Sequence, residues 1–224
     1  DSDPSRGLGD VYKRQDSASN TVGITDANTL TAETVLTLAA LAGGGIVRAG
    51  SLTLSAKAGI YITDAMTASA SAKALVMNAD ADSASTSGTL TVAATKTVTS
   101  NEGDVTITAW DVDMAGSLTA GTKSIAIHGA EVGQTVGIGG TSGNMHIVAL
   151  ELQRLAASSG LRVGSEAGGS ITVNTISQAN SASVTPVVTL VAANADATVT
   201  VEGGAATFAA LHVQADAGIV VQQL

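Results

Sequence analysis

The residues with the most chemical potential in this chain are oxygen donors. Asp111 and Asp113 form a D-x-D pair, and Asn78, Asp80 and Asp82 alternate along one short stretch. Carboxylates at alternate positions suit a hard cation such as calcium, which takes only oxygen ligands. Paired acids could also act as general acid and base on a polysaccharide. Against both stand the missing Gly-Gly-x-Gly-x-Asp calcium nonapeptide and the scarcity of basic residues to hold an acidic sugar. Asp80, Asp82, Asp111 and Asp113 are therefore weak calcium candidates, and turn chemistry accounts for them.

Other chemistry is harder to assemble. His128, His146 and His212 each sit beside an inward apolar position, so strand alternation points all three outward, and no H-x-x-x-H spacing links them. Ser and Thr are abundant, yet no G-x-S-x-G elbow with a base stands out. The glycines of GGG (43–45), GIGG (137–140) and AGGS (167–170) fit turns, not a dinucleotide loop. Cysteine is absent, which removes disulfides, thiolate zinc sites and a thiol nucleophile. Trp110 follows VTITA near a turn, where packing is the favoured role over a sugar-stacking surface. Thr97/Thr99, Thr106/Thr108 and Thr198/Thr200 form T-x-T pairs but do not recur in every unit, so they read as solvent-facing strand formers. No catalytic or cofactor-binding residue is assigned, and the expectation is a protein that is not an enzyme.

Charge narrows the partners. Nineteen acids against ten Lys and Arg leave a formal charge of −9. Nucleic acid is disfavoured, because its binding needs a basic patch, and so is attraction to an anionic membrane surface. No stretch approaches the roughly 20 apolar residues of a spanning helix. With two Tyr, one Trp and one Phe, the chain cannot build the aromatic girdles of a membrane β-barrel.

What must position these residues is a repeat. LTLSAKAGIYI (52–62) and LHVQADAGIVV (211–221) share one template of alternating apolar residues, an x-Ala-x-Ala-Gly turn and more alternation. LRVGSEAGGSITV (161–173) and VTLVAANADATVTV (188–201) are the same unit with longer turns. Alternation at period two predicts strands at VLTL (35–38), SLTL (51–54), GIYI (59–62), ALVM (74–77), TLTV (89–92), DVTI (104–107) and SIAI (124–127). It predicts more at NMHI (144–147), LRV (161–163), SITV (170–173), VVTL (187–190), ATVTV (197–201), LHV (211–213) and GIVV (218–221). VLTLAA within 31–43 fits a strand better than a helix. Ile60, Leu75, Leu90 and Val105 fall 15 residues apart.

Repeated turns, scarce aromatics and missing two-residue hairpin signals favour an all-β fold, a right-handed parallel β-helix, over a meander. A coil of about 20 residues and strands about 4.8 Å apart would give about ten coils and a rod near 50 Å. One segment departs: VALELQRLAAS (148–158) predicts a short helical excursion packed on the side of the stack, with Glu151 and Arg154 able to pair.

The first residues read differently. DSDPSRGLGDVYKRQ (1–15) lacks the alternation, and SRGLGDVYKRQ resembles a translated sequencing-adapter remnant of metagenomic reading frames. The expected organisation is a non-native or disordered leader over 1–15 and a repeat segment over 16–224, a fragment of a longer chain. From residue 35 to 223 the repeats resemble those of filamentous-haemagglutinin-type adhesins and related large bacterial exoproteins. TVGIGGTSGNMHIVALELQRLAASSGLRVGSEAGGSITV (135–173) carries the resemblance best, with GSLTLSAKAGIYI (50–62) and NEGDVTITAWDVDMAGSLTAGTKSIAI (101–127) beside it. The resemblance implies a parallel β-helix, placement outside the cell and a stalk role in attachment to surface glycans or proteins of a host or environment. Neighbouring repeats of the same chain would be its immediate partners. The alternative is a carbohydrate-binding or carbohydrate-active β-helix, with or without calcium.

Overall fold

A computed structural model describes residues 20–41, 43–84 and 87–223; the 1–15 leader lies outside the described residues. The fold is all-β, and every strand pairing in it is parallel. The first sheet holds β1 (Val22–Ile24), β4 (Ile46–Arg48), β7 (Met66–Ala68), β10 (Thr97–Thr99), β13 (Ser117–Gly121) and β17 (Leu155–Ala157). The second holds eight strands: β2 (Asn28–Ala32), β5 (Leu52–Ala56), β8 (Leu75–Asn78), β11 (Val105–Ala109), β14 (Ile125–Gly129), β18 (Leu161–Ser165), β20 (Val188–Ala192) and β22 (Leu211–Ala215). The third holds β3 (Val35–Leu38), β6 (Gly59–Ile62), β9 (Thr89–Val92) and β12 (Asp111–Met114). The fourth holds β15 (Val136–Gly139), β16 (Met145–Ile147), β19 (Ile171–Asn174), β21 (Val199–Gly203) and β23 (Ile219–Gln223).

Through β12 the chain visits the first three sheets in rotation, so each strand pairs with the strand three places on. The fourth sheet then takes the third sheet's turn in the rotation. After β17 the first sheet ends, and the chain passes instead through a 3-10 turn at Gln178–Ser181 and a bridge from Ala157 to Val184. The repeat template is one corner of this path. LTLSAKAGIYI is β5 plus β6, LRVGSEAGGSITV is β18 plus β19, and LHVQADAGIVV is β22 plus β23. The 15-residue spacing also resolves: Ile60 pairs with Leu90 in the third sheet and Leu75 with Val105 in the second.

Pairing in register stacks like residues. In the second sheet Leu30, Leu54, Met77, Ile107, Ile127, Val163, Leu190 and Val213 form one inward column. All four methionines are buried, and the core is aliphatic throughout. Among the described aromatics, Tyr61 is 44% exposed and Phe208 packs on the core only in part. A column of side chains repeating every 4.8 Å leaves room for branched aliphatics and little for rings.

Two expectations need correction. The second sheet is eight strands deep, not ten, and spans about 34 Å at 4.8 Å per strand. The reason is a longer return path: paired residues lie from 20 apart (Val105 and Ile125) to 36 apart (Ile125 and Leu161). The helical excursion is also shorter than 148–158. A single helical turn, α1 (Ala149–Gln153), is followed at once by β17, whose Leu155 pairs with Leu118. The need to rejoin the first sheet overrides the helical spacing of Leu155 and Ala156.

Leu90 is fully buried between Ile60 and Val112 on the adjacent strands. Leu90→Ala is expected to cost about 2–5 kcal/mol in urea unfolding, while Thr91→Ala, on the outward face, changes stability by less than about 1 kcal/mol.

Candidate functional site

The acids divide by what they hold. Five aspartates accept a backbone N–H from a residue 20 to 35 positions away. Asp26 takes Ser51 at 2.6 Å, Asp64 takes Ala40 at 2.9 Å and Asp104 takes Ser124 at 3.1 Å. Asp111 takes His146 at 2.8 Å and Asp216 takes Asp196 at 3.0 Å. Many corner amides bond to a carbonyl of the adjacent level, as Ser69 does to Arg48 and Ala93 to Ile62; for these five a carboxylate takes the carbonyl's place. Asp26, Asp64 and Asp104 all lie below the usual carboxylate range: the Ser51 amide contributes most at Asp26, the Lys96 side chain at Asp64 and the Ser124 hydroxyl at Asp104, with the amides of Ala40 and Ser124 next at the last two.

Asp111 belongs to a seam. The third sheet ends at β12 and the fourth begins at β16, with no backbone ladder between them. Side chains bridge the gap. Asp111 accepts the His146 amide, Glu151 Oε1 accepts the Met114 amide at 2.9 Å, and Arg154 Nη1 donates to the Met114 carbonyl at 2.7 Å. Glu151 Oε2 also accepts the Val148 amide at 2.9 Å, which caps α1. Glu151 and Arg154 therefore do not pair with each other, contrary to the spacing argument, because each serves the Met114 peptide groups. Burial raises the pKa of both Asp111 and Glu151. The amides they accept oppose the shift, and at Glu151 the nearby Asp111 and Asp113 add to it.

Asp80 differs from every aspartate above. It is 1% exposed, and neither carboxylate oxygen has a hydrogen-bond partner. Its loop leaves β8 and crosses levels: Ala79 N–H reaches the Thr108 carbonyl, Ala81 N–H the Ala56 carbonyl, and Ser83 Oγ the Ala130 carbonyl. The loop closes over Asp80 at Gly88 (φ +100), where a Cβ would collide with Asp80 Cβ. Burial pushes the Asp80 carboxyl from an ordinary 3.8 up to about 6. The Ala84 amide opposes this without completing a hydrogen bond, while Asp82 and Glu131 reinforce it.

The structure thus places the four candidates at two separate locations. Asp80 lies with Asp82 and Glu131; Asp111 lies with Asp113, Glu151 and His146. Among the described residues no three His, Asp or Glu side chains converge as a metal-binding group. The histidines are outward but not all free in solvent. His128 is half-buried with its ring against Thr108 and the Gly129 carbonyl, His146 is half-buried against the Gly139 carbonyl, and His212 is exposed. Trp110 is half-buried, and its backbone bonds to Gly88 and Gln134. An open groove of about 510 Å³ beside α1 is lined by Thr97, Ser117, Thr119, Leu150, Gln153 and Arg154 among others, and holds none of the candidate acids.

Arg48 is a residue the sequence reading missed. Fully buried at the end of β4, it lies where three successive corners stack. Nη1 donates to the carbonyls of Gly50 and Ala74, and Nη2 to those of Lys73 (3.0 Å) and Ser100 (2.6 Å). One guanidinium so ties residues from three levels of the first-to-second-sheet corner, a use of its fixed fork of donors. Burial works against its charge, and Asp26 supports it. The only sequence signal is an arginine at an inward strand position.

No family model matches the chain, and no curated protein or solved structure matches it. No helix among the described residues is long and apolar enough to cross a membrane.

The raised pKa of Asp80 has a definite sign. The folded state binds its proton more tightly than the unfolded chain, so Asp80 destabilises the metal-free protein above about pH 6, and the penalty fades as pH falls to about 4. In chelating buffer Asp80→Asn should raise stability by roughly 1–3 kcal/mol at pH 7.5. Thermal unfolding across pH should show the difference vanish near pH 4.

Proposed function

We propose that this chain is a structural stalk segment of a secreted or cell-surface adhesin, folded as a right-handed parallel β-helix. The observation that carries the reading is the unbroken register of the second sheet, where eight parallel strands stack one aliphatic column. A ladder of this kind, with every level hydrogen-bonded to the next, resists shear and bending and can hold a binding region away from a surface. The strand-by-strand rotation among sheets, the recurring corner template and the acids spent on corner amides all support a scaffold. Neighbouring repeats of the same chain are the immediate partners. Attachment to glycans or proteins of a host or environment falls to other parts of such an assembly. The reading assigns no reaction to the chain. The carbohydrate alternative needs acids and rings along one groove, and the candidate acids lie at two locations, neither of which lines the groove beside α1.

A stalk is tested by force. The chain has no cysteine, so Thr21→Cys and Gln222→Cys provide unique handles for single-molecule pulling. The expected record is stepwise, each step releasing one turn of 20 to 36 residues, or about 7–13 nm at about 3.6 Å per residue. Release of the whole chain in one step, at forces no greater than those of an ordinary enzyme domain pulled alongside, would overturn the proposal.

A further inference from the structure

Asp80 presents a contradiction that the stalk reading does not resolve. Among the aspartates that reach inward or across levels, five engage an amide of another level. The most buried of all engages nothing. An isolated carboxylate removed from water is among the costliest groups a fold can carry, and it persists only when something compensates it. The charged groups that face it make matters worse. Asp82 lies within hydrogen-bond reach of its carboxyl, and Glu131 approaches from the loop after β14. Lys57 is no remedy, for it feels Asp82 but is held by Glu33. Asp82 and Glu131 thus add negative field, and among the described residues no positive side chain acts on Asp80. A proton shared between Asp80 and Asp82 compensates the pair only in mild acid.

We infer that the segment from Asn78 to Ser83, just after β8, binds a hard divalent cation of the calcium type, held by the carboxylates of Asp80 and Asp82 with further oxygens from the backbone of this segment and water. The chemistry of the donors selects the ion. Only oxygen is on offer, which excludes the softer metals that favour nitrogen and sulfur. The irregular loop suits calcium, which accepts six to eight oxygens in flexible geometry, better than magnesium with its octahedral demand. Asp82 is exposed and gives the ion its way in, while Asp80 supplies the buried anchor. Glu131 adds negative field from another level without serving as a ligand. Through Ala79, Ala81 and Ser83 the loop is bonded to the levels of β5, β11 and β14. A bound ion therefore braces several levels at once. The inference stands apart from the stalk proposal, since a cation site and mechanical stiffness are read by different measurements.

The test uses the full chain stripped of metal by chelator, titrated with calcium chloride in a calorimeter and followed by thermal unfolding. One saturable site is expected, with a dissociation constant on the order of 10⁻⁵–10⁻³ M and a rise in Tm as calcium is added. Magnesium should bind more weakly. Asp80→Asn and Asp82→Asn should each weaken calcium binding at least about tenfold, while Asp113→Asn leaves it unchanged. Asp82 is exposed, so its variant reads calcium binding without altering the buried interior. No saturable heat and no Tm shift up to about 10 mM calcium would overturn the inference and leave a proton-sharing pair in its place. Undiminished binding in both the Asp80 and Asp82 variants would overturn it too.

Discussion

The molecule is governed by one constraint: outside the switch between the third and fourth sheets, each strand after the first of its sheet pairs in parallel with a strand laid down one turn of chain earlier. Backbone ladders satisfy the amides and carbonyls along the strands, and at the corners backbone bonds between levels satisfy only part of them. There the unpaired groups need side-chain partners, because a buried amide without one costs about as much as a lost hydrogen bond. Asp26, Asp64, Asp104, Asp111 and Asp216 meet that need from the adjacent level. The excess of acids, which as bare composition argues only against nucleic acid, thus has a local structural cause. Stacking also sets the core: side chains repeating at strand spacing favour Leu, Ile, Val and Met, and the few aromatics stay at the margins.

Two places show how the chain copes when the plain stack fails. At the corner from the first to the second sheet, the Arg48 guanidinium gathers carbonyls from three levels, so the corner carbonyls are satisfied from within. At the switch from the third to the fourth sheet, α1 interrupts the rotation. Asp111, Glu151 and Arg154 replace the missing backbone ladder with charged side chains. Arg48 and Glu151 are buried charges, engaged except for Arg48 Nε, while Arg154 reaches the seam from an exposed position, and each place holds neighbouring levels in one relative position. Removing such a side chain leaves backbone amides or carbonyls of the neighbouring levels without a partner, which costs more than losing a surface ion pair.

Much of this was legible in the sequence, and the exceptions have physical reasons. Alternation marks most strands of the second, third and fourth sheets, and VLTL, GIYI and TLTV match theirs residue for residue, but that reading passed over Asn28–Ala32, Asp111–Met114 and Val136–Gly139. The first sheet is silent. Most of its strands, such as Val22–Ile24, Met66–Ala68 and Thr97–Thr99, are three residues long, and so short a run shows no period; the five-residue Ser117–Gly121 was missed as well. The excursion at 148–158 was visible, but helical spacing extended it past Gln153, since the pull of β17 toward β13 is a tertiary effect. The acids were legible as turn residues only. Their partners lie 20 to 35 positions away, beyond the reach of any local pattern. The isolation of Asp80 depends on Gly88 folding back over it, which no spacing reveals.

The central claim is that the chain returns to the same sheet in register, turn after turn, and a disulfide tests it most directly. Thr106 and Ala126 are paired positions on the outward face of β11 and β14. Strand neighbours about 4.8 Å apart lie within disulfide range, and the chain has no cysteine to interfere. Oxidation of the Thr106→Cys/Ala126→Cys variant should close an intramolecular cross-link nearly completely with the strand signal in circular dichroism unchanged. A Thr106→Cys/Thr172→Cys control, with its cysteines on different sheets, should stay reduced. A paired variant that remains reduced in the folded state, or a control that links as readily, would contradict the stacked register on which the whole account rests.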